Sequence, residues 1–154
     1  VHPIKALTLH QPWATLIEKH WKEVETRSWY TDYRGPLAIC AGKKHDADGK
    51  MLHLVLNSIR GCPAMLPPFE ELPFGCVVAI GNLVACTSTA NVEENALKLK
   101  PPFQPYNGWE VERHFGNYGP DRWAWILRDI HAVVPYIPIR GYQKLWNWTP
   151  PVVT

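Results

Sequence analysis

The sequence predicts a small mixed α+β domain built on a curled sheet of five or six short strands with short flanking helices. Three observations point there. Most segments alternate or run apolar over strand lengths; helical stripes are few; and proline or turn residues separate nearly every segment. The 15 prolines cluster at 63–73, 101–105 and 135–151, which favours loops, edges and turns over long helices. With 154 residues the chain reads as a single domain, 1–154, long enough to bury a core without disulfides or metal. Periodicity does not decide whether the sheet closes.

In order, Lys5–His10 is rich in strand formers and makes the first strand. Gln11-Pro12 opens a helix, with Pro12 in the first turn, where a missing N–H costs nothing. Trp13, Leu16 and Ile17 give that helix an apolar stripe through about Lys19. Lys22–Trp29 alternates as a strand, with Val24, Thr26 and Ser28 on one face and Glu25, Arg27 and Trp29 on the other. Tyr30–Gly35 is a turn, and the apolar run Pro36–Ala41 is a buried strand that Gly42-Lys43-Lys44 ends. Asp46 or Asp48 caps a second helix ending near Arg60, with Gly61 as its stop and Met51, Leu52, Val55, Leu56 and Ile59 as its core stripe.

Cys62–Phe74 is a proline-broken loop. Gly75–Thr89, the most apolar stretch, is a strand bent or bulged at Gly81-Asn82. Asn91 starts a short helix to about Lys100, Pro101–Gly108 is loop, and Trp109–Phe115 is another short helix. Arg122–Ile130 places Trp123, Trp125 and Leu127 on one strand face. Ala132–Ile139, with Pro135 and Pro138, reads as a separate edge segment. In the tail, Trp146 or Trp148 packs inward before the chain frays.

Composition excludes several classes. A net charge of +2 does not by itself announce a nucleic-acid binder, yet no Lys or Arg occurs from Gly61 through Leu97, so basic charge concentrates elsewhere. Cys40, Cys62, Cys76 and Cys86 form no C-x-x-C pair and read as buried thiols of a reducing, cytoplasmic protein. No apolar run approaches the roughly 20 residues a spanning helix needs, and the first 21 residues do not make a signal peptide, so no membrane association is expected. The seven histidines show neither H-E-x-x-H nor clustered spacing, and G-C-V-V-A-I-G is not a dinucleotide fingerprint, so neither metal nor cofactor is expected.

The informative stretch is Lys22–Lys44, where Lys22, Arg27, Arg34, Lys43 and Lys44 outnumber Glu23, Glu25 and Asp32. Glu25, Arg27 and Trp29 on one strand face suit neither an aliphatic core nor an ordinary solvent face. One reading is a solvated edge with a Glu25–Arg27 ion pair. The other is a preorganised polar site in which Trp29 offers a stacking surface.

Lys22, Glu25 and Arg27 also fit G-x-K-x-x-E-x-R, and the chain thereby resembles the ASCH (activating signal cointegrator homology) domain family. The likeness extends through L-T-L-H-Q-P-W-A-T-L-I, R-S-W-Y-T-D-Y-R-G-P-L-A-I-C-A-G-K-K, R-W-A-W-I-L-R-D-I and P-I-R-G-Y-Q-K-L-W-N-W. The motif's glycine, which relaxes the turn between helix and strand, is His20 here, so the local loop is expected to differ. The resemblance implies a PUA-like β-barrel with its cleft between the first helix and the motif strand, and RNA-related roles. Certain relatives hydrolyse the acetyl amide of acetylcytidine, and others are associated with RNA cleavage.

In such a site Arg27 holds phosphate as a planar fork and Lys22 as a point charge, while Glu25 orients them, accepts a base or ribose donor, or acts as general base. Trp13, Trp29 and Tyr33 are candidate stacking partners for an unpaired base, with Arg34, Lys43 and Lys44 as a basic rim. Nothing resembles a basic recognition helix, so the expected partner is single-stranded RNA or a nucleoside or nucleotide rather than a duplex. His10 reads as structural. Two classes stay open: an RNA or nucleotide binding module, and a small hydrolase (ribonuclease or nucleoside amidohydrolase) with Lys22, Glu25 and Arg27 as its catalytic set. The acetylcytidine-type relatives carry Thr where Glu25 stands, and a carboxylate beside an amine favours its charged, non-nucleophilic form.

Overall fold

A computed structural model describes residues 2–58 and 66–152. Its strands, β1 (Ile4–Leu9), β2 (Val24–Arg27), β3 (Gly35–Ala41), β4 (Cys76–Ser88), β5 (Trp123–Pro138) and β6 (Leu145–Trp148), form a six-stranded sheet in the order β2-β5-β4-β3-β1-β6. Only β1 and β3 pair in parallel; the other neighbours are antiparallel. The parallel pair needs a crossover connection, and α1 (Trp13–Glu18) and β2 lie within it. Three further helices flank the sheet: α2 (Ala47–Ser58), α3 (Val92–Leu97) and α4 (Gly108–His114).

The small PUA-like α+β fold is therefore present, but the sheet is open: among the described residues no ladder joins β2 to β6. Its concave face carries the main core, with Leu7 and Leu9 from β1, Leu37 and Ile39 from β3, and Trp125 and Leu127 from β5. Ala14 and Ile17 of α1 plug that concavity. On the outer face, α3 and α4 cover Val24, Ala124 and Ile126 with Val92, Ala96 and Trp109.

Two expected segments fuse. Arg122–Ile130 and Ala132–Ile139 are one 16-residue strand, β5, because register shifts in its ladder with β4 absorb the irregularity at Asp129 (φ 51°). β2 covers only Trp123–Ile126 of it, so the proline-bearing half has a free edge, as its prolines require. In the tail Trp148 is buried, as expected of Trp146 or Trp148, and Leu145–Trp148 pairs with Ile4–Leu7 as a strand that the sequence reading did not assign. Asp46 is the side chain that caps α2, accepting from Gly49 N at 3.1 Å; the expected stop at Gly61 and the thiol of Cys62 lie outside the described residues. Cys40, Cys76 and Cys86 are buried free thiols, and burial pushes Cys40 up to about 12.

The turn leaving α1 explains the motif's first position. His20 N donates to Ile17 O at 3.0 Å and Trp21 N to Leu16 O at 2.9 Å, the paired bonds of a Schellman helix stop. Trp21 and Leu16 complete it by packing in one apolar cluster. His20 is the left-handed residue of that stop (φ 63°), so the turn keeps the geometry a glycine favours and an L side chain bears the strain. His20→Gly is expected to stabilise the fold by about 1 kcal/mol, read as a higher urea midpoint at unchanged m-value. A lower midpoint would show that the imidazole contributes more than its backbone costs.

Candidate functional site

Sheet curvature brings the β2 edge towards the end of β1. The β1–β6 ladder stops at Leu7–Leu145, and beyond it the Thr8 carbonyl accepts from Arg27 Nη2 at 3.0 Å. Arg27 thus bridges two strands that share no ladder. The opening around it holds two adjoining cavities, of about 410 and 750 Å³, that share Leu9, His10 and Arg27.

The smaller cavity lies between α1, β2 and the end of α4. Trp13, Glu25, Thr26, His114, Asn117 and Arg122 line it together with the shared residues. Trp13 is fixed by its indole N–H, which donates to Phe115 O at 2.8 Å and ties α1 to α4. The larger cavity, a groove, is built from the β1 end, Trp29, the loop after β3 and the loop before β6. Its cations are Arg27, Lys43, Lys44, Arg140 and Lys144, and among the described residues no Asp or Glu lines it. Trp29 stands edge-on to Trp125 with ring centres 4.7 Å apart, which holds one indole in the wall. Tyr142, 53% exposed, is the second aromatic there, and Arg140 lies 5.7 Å from its ring. The aliphatic stem of Lys43 rests on Gly75, which has φ 66° and no Cβ to displace it.

Beneath the floor is a buried ionic cluster. Lys22 has 0% exposure; its Nζ donates to Val24 O and lies 3.6 Å from Glu25 Oε1. Glu25 also accepts from Thr26 N at 2.9 Å, and its other oxygen is 3.9 Å from Arg27 Nη2. A second carboxylate, Glu112 of α4, accepts from the backbone N–H of Glu23 and of Val24, each at 3.1 Å. Burial pushes Glu112 up to about 7, while Lys22 and those two N–H groups oppose the shift.

Of the residues singled out from sequence, the fold brings Trp13, Glu25, Arg27, Trp29, Lys43 and Lys44 to the two cavities. Lys22 lies under the floor rather than in the cleft or on its rim. Tyr33 and Arg34 line neither cavity: Tyr33 OH donates to Pro36 O, and Arg34 Nη1 donates to the carbonyls of Thr31 and Tyr33. Both serve the turn before β3. His10, read as structural, is an exposed residue at the junction of the cavities. Sequence reasoning missed His114, Asn117, Arg122 and Glu112, and the run Arg140-Gly141-Tyr142-Gln143-Lys144. That last run interleaves cations with an aromatic, a local pattern by which it could have been singled out from sequence. Glu112 carries no local signal, because its partners lie 88 and 89 residues away.

Among the described residues no helix is long and apolar enough to cross a membrane, and no three His, Cys, Asp or Glu converge as metal ligands. The ASCH domain family matches residues 7–134. Activating signal cointegrator 1 of Mus musculus is 30% identical over 143 residues, covering 92% of this chain and 22% of that protein. The Homo sapiens protein of the same name matches with the same identity and coverage. This chain thus spans 22% of the length of these curated relatives. Among solved structures, an ASCH protein from Zymomonas mobilis superposes with TM-score 0.52 at 14% identity, covering 94% of this chain and 87% of that one. A point mutant of it superposes with the same TM-score at 13% identity, covering 94% and 89%.

Proposed function

Since the chain belongs to the ASCH domain family, we propose that it is a binding module for single-stranded RNA, using the groove centred on Arg27. The carrying observation is charge segregation. A protein of net charge +2 gathers five of its cations in one groove whose lining, among the described residues, has no carboxylate side chain. Such a groove tracks a phosphate backbone, and Trp29 and Tyr142 offer π-faces for unpaired bases. The adjoining smaller cavity, with Glu25 as acceptor and Arg122 as donor, is of a size to take one base or nucleoside.

Arg27 is the preorganised member of the set. Thr8 O and Glu25 hold its Nη2 and its Nε is buried, which leaves the outer part of the guanidinium for a phosphate. Hydrolysis with Lys22 as reactive amine is not supported by this geometry, because a lysine with 0% exposure cannot meet a substrate carbonyl. Lys22 acts here through Glu25, as an anchor.

The test is binding of a labelled 12-nucleotide oligouridylate across a salt series. Lys43→Ala/Lys44→Ala and Arg140→Ala/Lys144→Ala should each weaken binding and flatten the log–log salt slope by about 0.7 per lost phosphate contact. Arg34→Ala, outside the groove, should leave both unchanged. Absence of saturable binding by the unaltered protein, or slopes indifferent to all four lysine and arginine removals, would overturn the reading.

A further inference from the structure

We propose that Glu112, on α4 and outside the groove, is a positioning residue for Arg27 and makes anion binding in the groove proton-linked. The proposal rests on the reading of the groove as a phosphate-binding surface. Its basis is the arrangement of the buried charges. Glu112 is 2% exposed, Glu25 7% and Lys22 0%, so two carboxylates and one ammonium share a region from which water is largely excluded. Glu25 stands between two cations, 3.6 Å from Lys22 Nζ and 3.9 Å from Arg27 Nη2. Glu112 grips the approach to β2 through Glu23 N and Val24 N, and its charge interacts with that of Lys22.

The division of Glu25 between its two cations follows from the charge on Glu112. When Glu112 is ionised, Lys22 is opposed by two carboxylates, and Glu25 is left available to hold Arg27. When Glu112 carries a proton, Glu25 is the remaining ionised partner of Lys22 and is drawn towards it. Arg27 then keeps its backbone anchor on Thr8 O and turns its unshared charge to the groove. The other groups bearing on Glu112 are Glu23 at the approach to β2 and Tyr118 after α4, with Arg113 beside it on its own helix.

Burial raises Glu112 to about 7, so its proton is exchanged near neutrality. The proton is bound below that value, where Arg27 is freest, and lost above it. Affinity for an anion should therefore be highest in mild acid and fall as pH rises through about 7. By reciprocity, an anion bound at Arg27 must raise the midpoint of Glu112 further.

The experiment measures binding of the labelled 12-nucleotide oligouridylate from pH 5.5 to 8.5 at fixed ionic strength, for the unaltered protein and for Glu112→Gln. The amide retains an acceptor oxygen for the two backbone N–H groups and removes the titration. His10 and His114, which line the cavities, are present in both proteins, so their contributions cancel in the comparison. The loss of affinity between the two ends should be about five-fold or more larger in the unaltered protein, at the lower end of typical coupling between sites. Parallel profiles would overturn the proposal while leaving the groove reading intact. No binding by the unaltered protein at any pH would overturn the groove reading and this proposal with it. Should the variant not fold, carboxyl ¹³C titration of Glu112 in the unaltered protein decides. A midpoint that rises when the oligonucleotide is added supports the linkage, and one that stays fixed removes it.

Discussion

Lys22→Met is expected to destabilise the protein by about 3–5 kcal/mol, a large part of the roughly 5–15 kcal/mol that holds a typical domain folded. Methionine nearly matches the length and volume of lysine, so packing loss is not the cause. The cause is electrostatic. Lys22 has no exposed surface, and Glu25 and Glu112 around it are 7% and 2% exposed. Without the ammonium, buried Glu25 keeps only the partly exposed Arg27 as counter-charge, and Glu112, already pushed up to about 7 by burial, loses the cation that opposes the shift. Adding Glu25→Gln to Lys22→Met should recover a substantial part of the loss, since one orphaned charge is then gone. Urea denaturation followed by circular dichroism reads both variants. A loss below about 1 kcal/mol for Lys22→Met would mean that the lysine reaches water, and would reopen its role as a reactive amine.

Gly49→Ala should be nearly as damaging, against the usual trend. In a helix this change normally stabilises by about 0.8–1 kcal/mol. Here an added Cβ would lie 1.9 Å from Gln11 O, 3.1 Å from Gln11 C and 3.3 Å from the Trp13 ring. Two of these are backbone atoms. Gln11 itself cannot retreat, because it is fully buried, donates to Pro73 O and accepts from Thr15 N. α2 must therefore back away from the loop between β1 and α1. A cost of about 2–3 kcal/mol is expected, with a fall in Tm on the order of 10 °C in a scanning experiment. Because His10 and Trp13 flank Gln11 and line the cavities, oligonucleotide binding should weaken as well. Unchanged Tm would mean that α2 packs more loosely on that loop.

Much of the site was legible locally. Alternation in Val24–Arg27, with an acid, a base and then Trp29 where aliphatic residues belong, singles out this strand as a candidate without any knowledge of the fold. The basic pair at Lys43-Lys44 was visible for the same reason, being a charge cluster directly after a buried strand. Tyr33 and Arg34 looked equivalent to these in sequence. They differ because Tyr33 OH and the Arg34 guanidinium meet nearby main-chain carbonyls, an outcome of turn geometry that composition does not encode.

The sequence by itself determined the α+β class, the order and type of nearly every element, the motif strand and the segregation of basic charge away from 61–97. These follow from short-range causes: period, capping, turn chemistry and composition. Only the tertiary structure decided that the sheet stays open, that Arg27 bridges the gap to Thr8, and that Arg140 and Lys144 join Lys43 and Lys44 in one groove. It also decided that Lys22 is buried beneath the groove rather than exposed in it, because burial depends on what α4 lays over β2. Each of these joins groups far apart along the chain, and a window of neighbouring residues carries no record of how the sheet curls to bring them together.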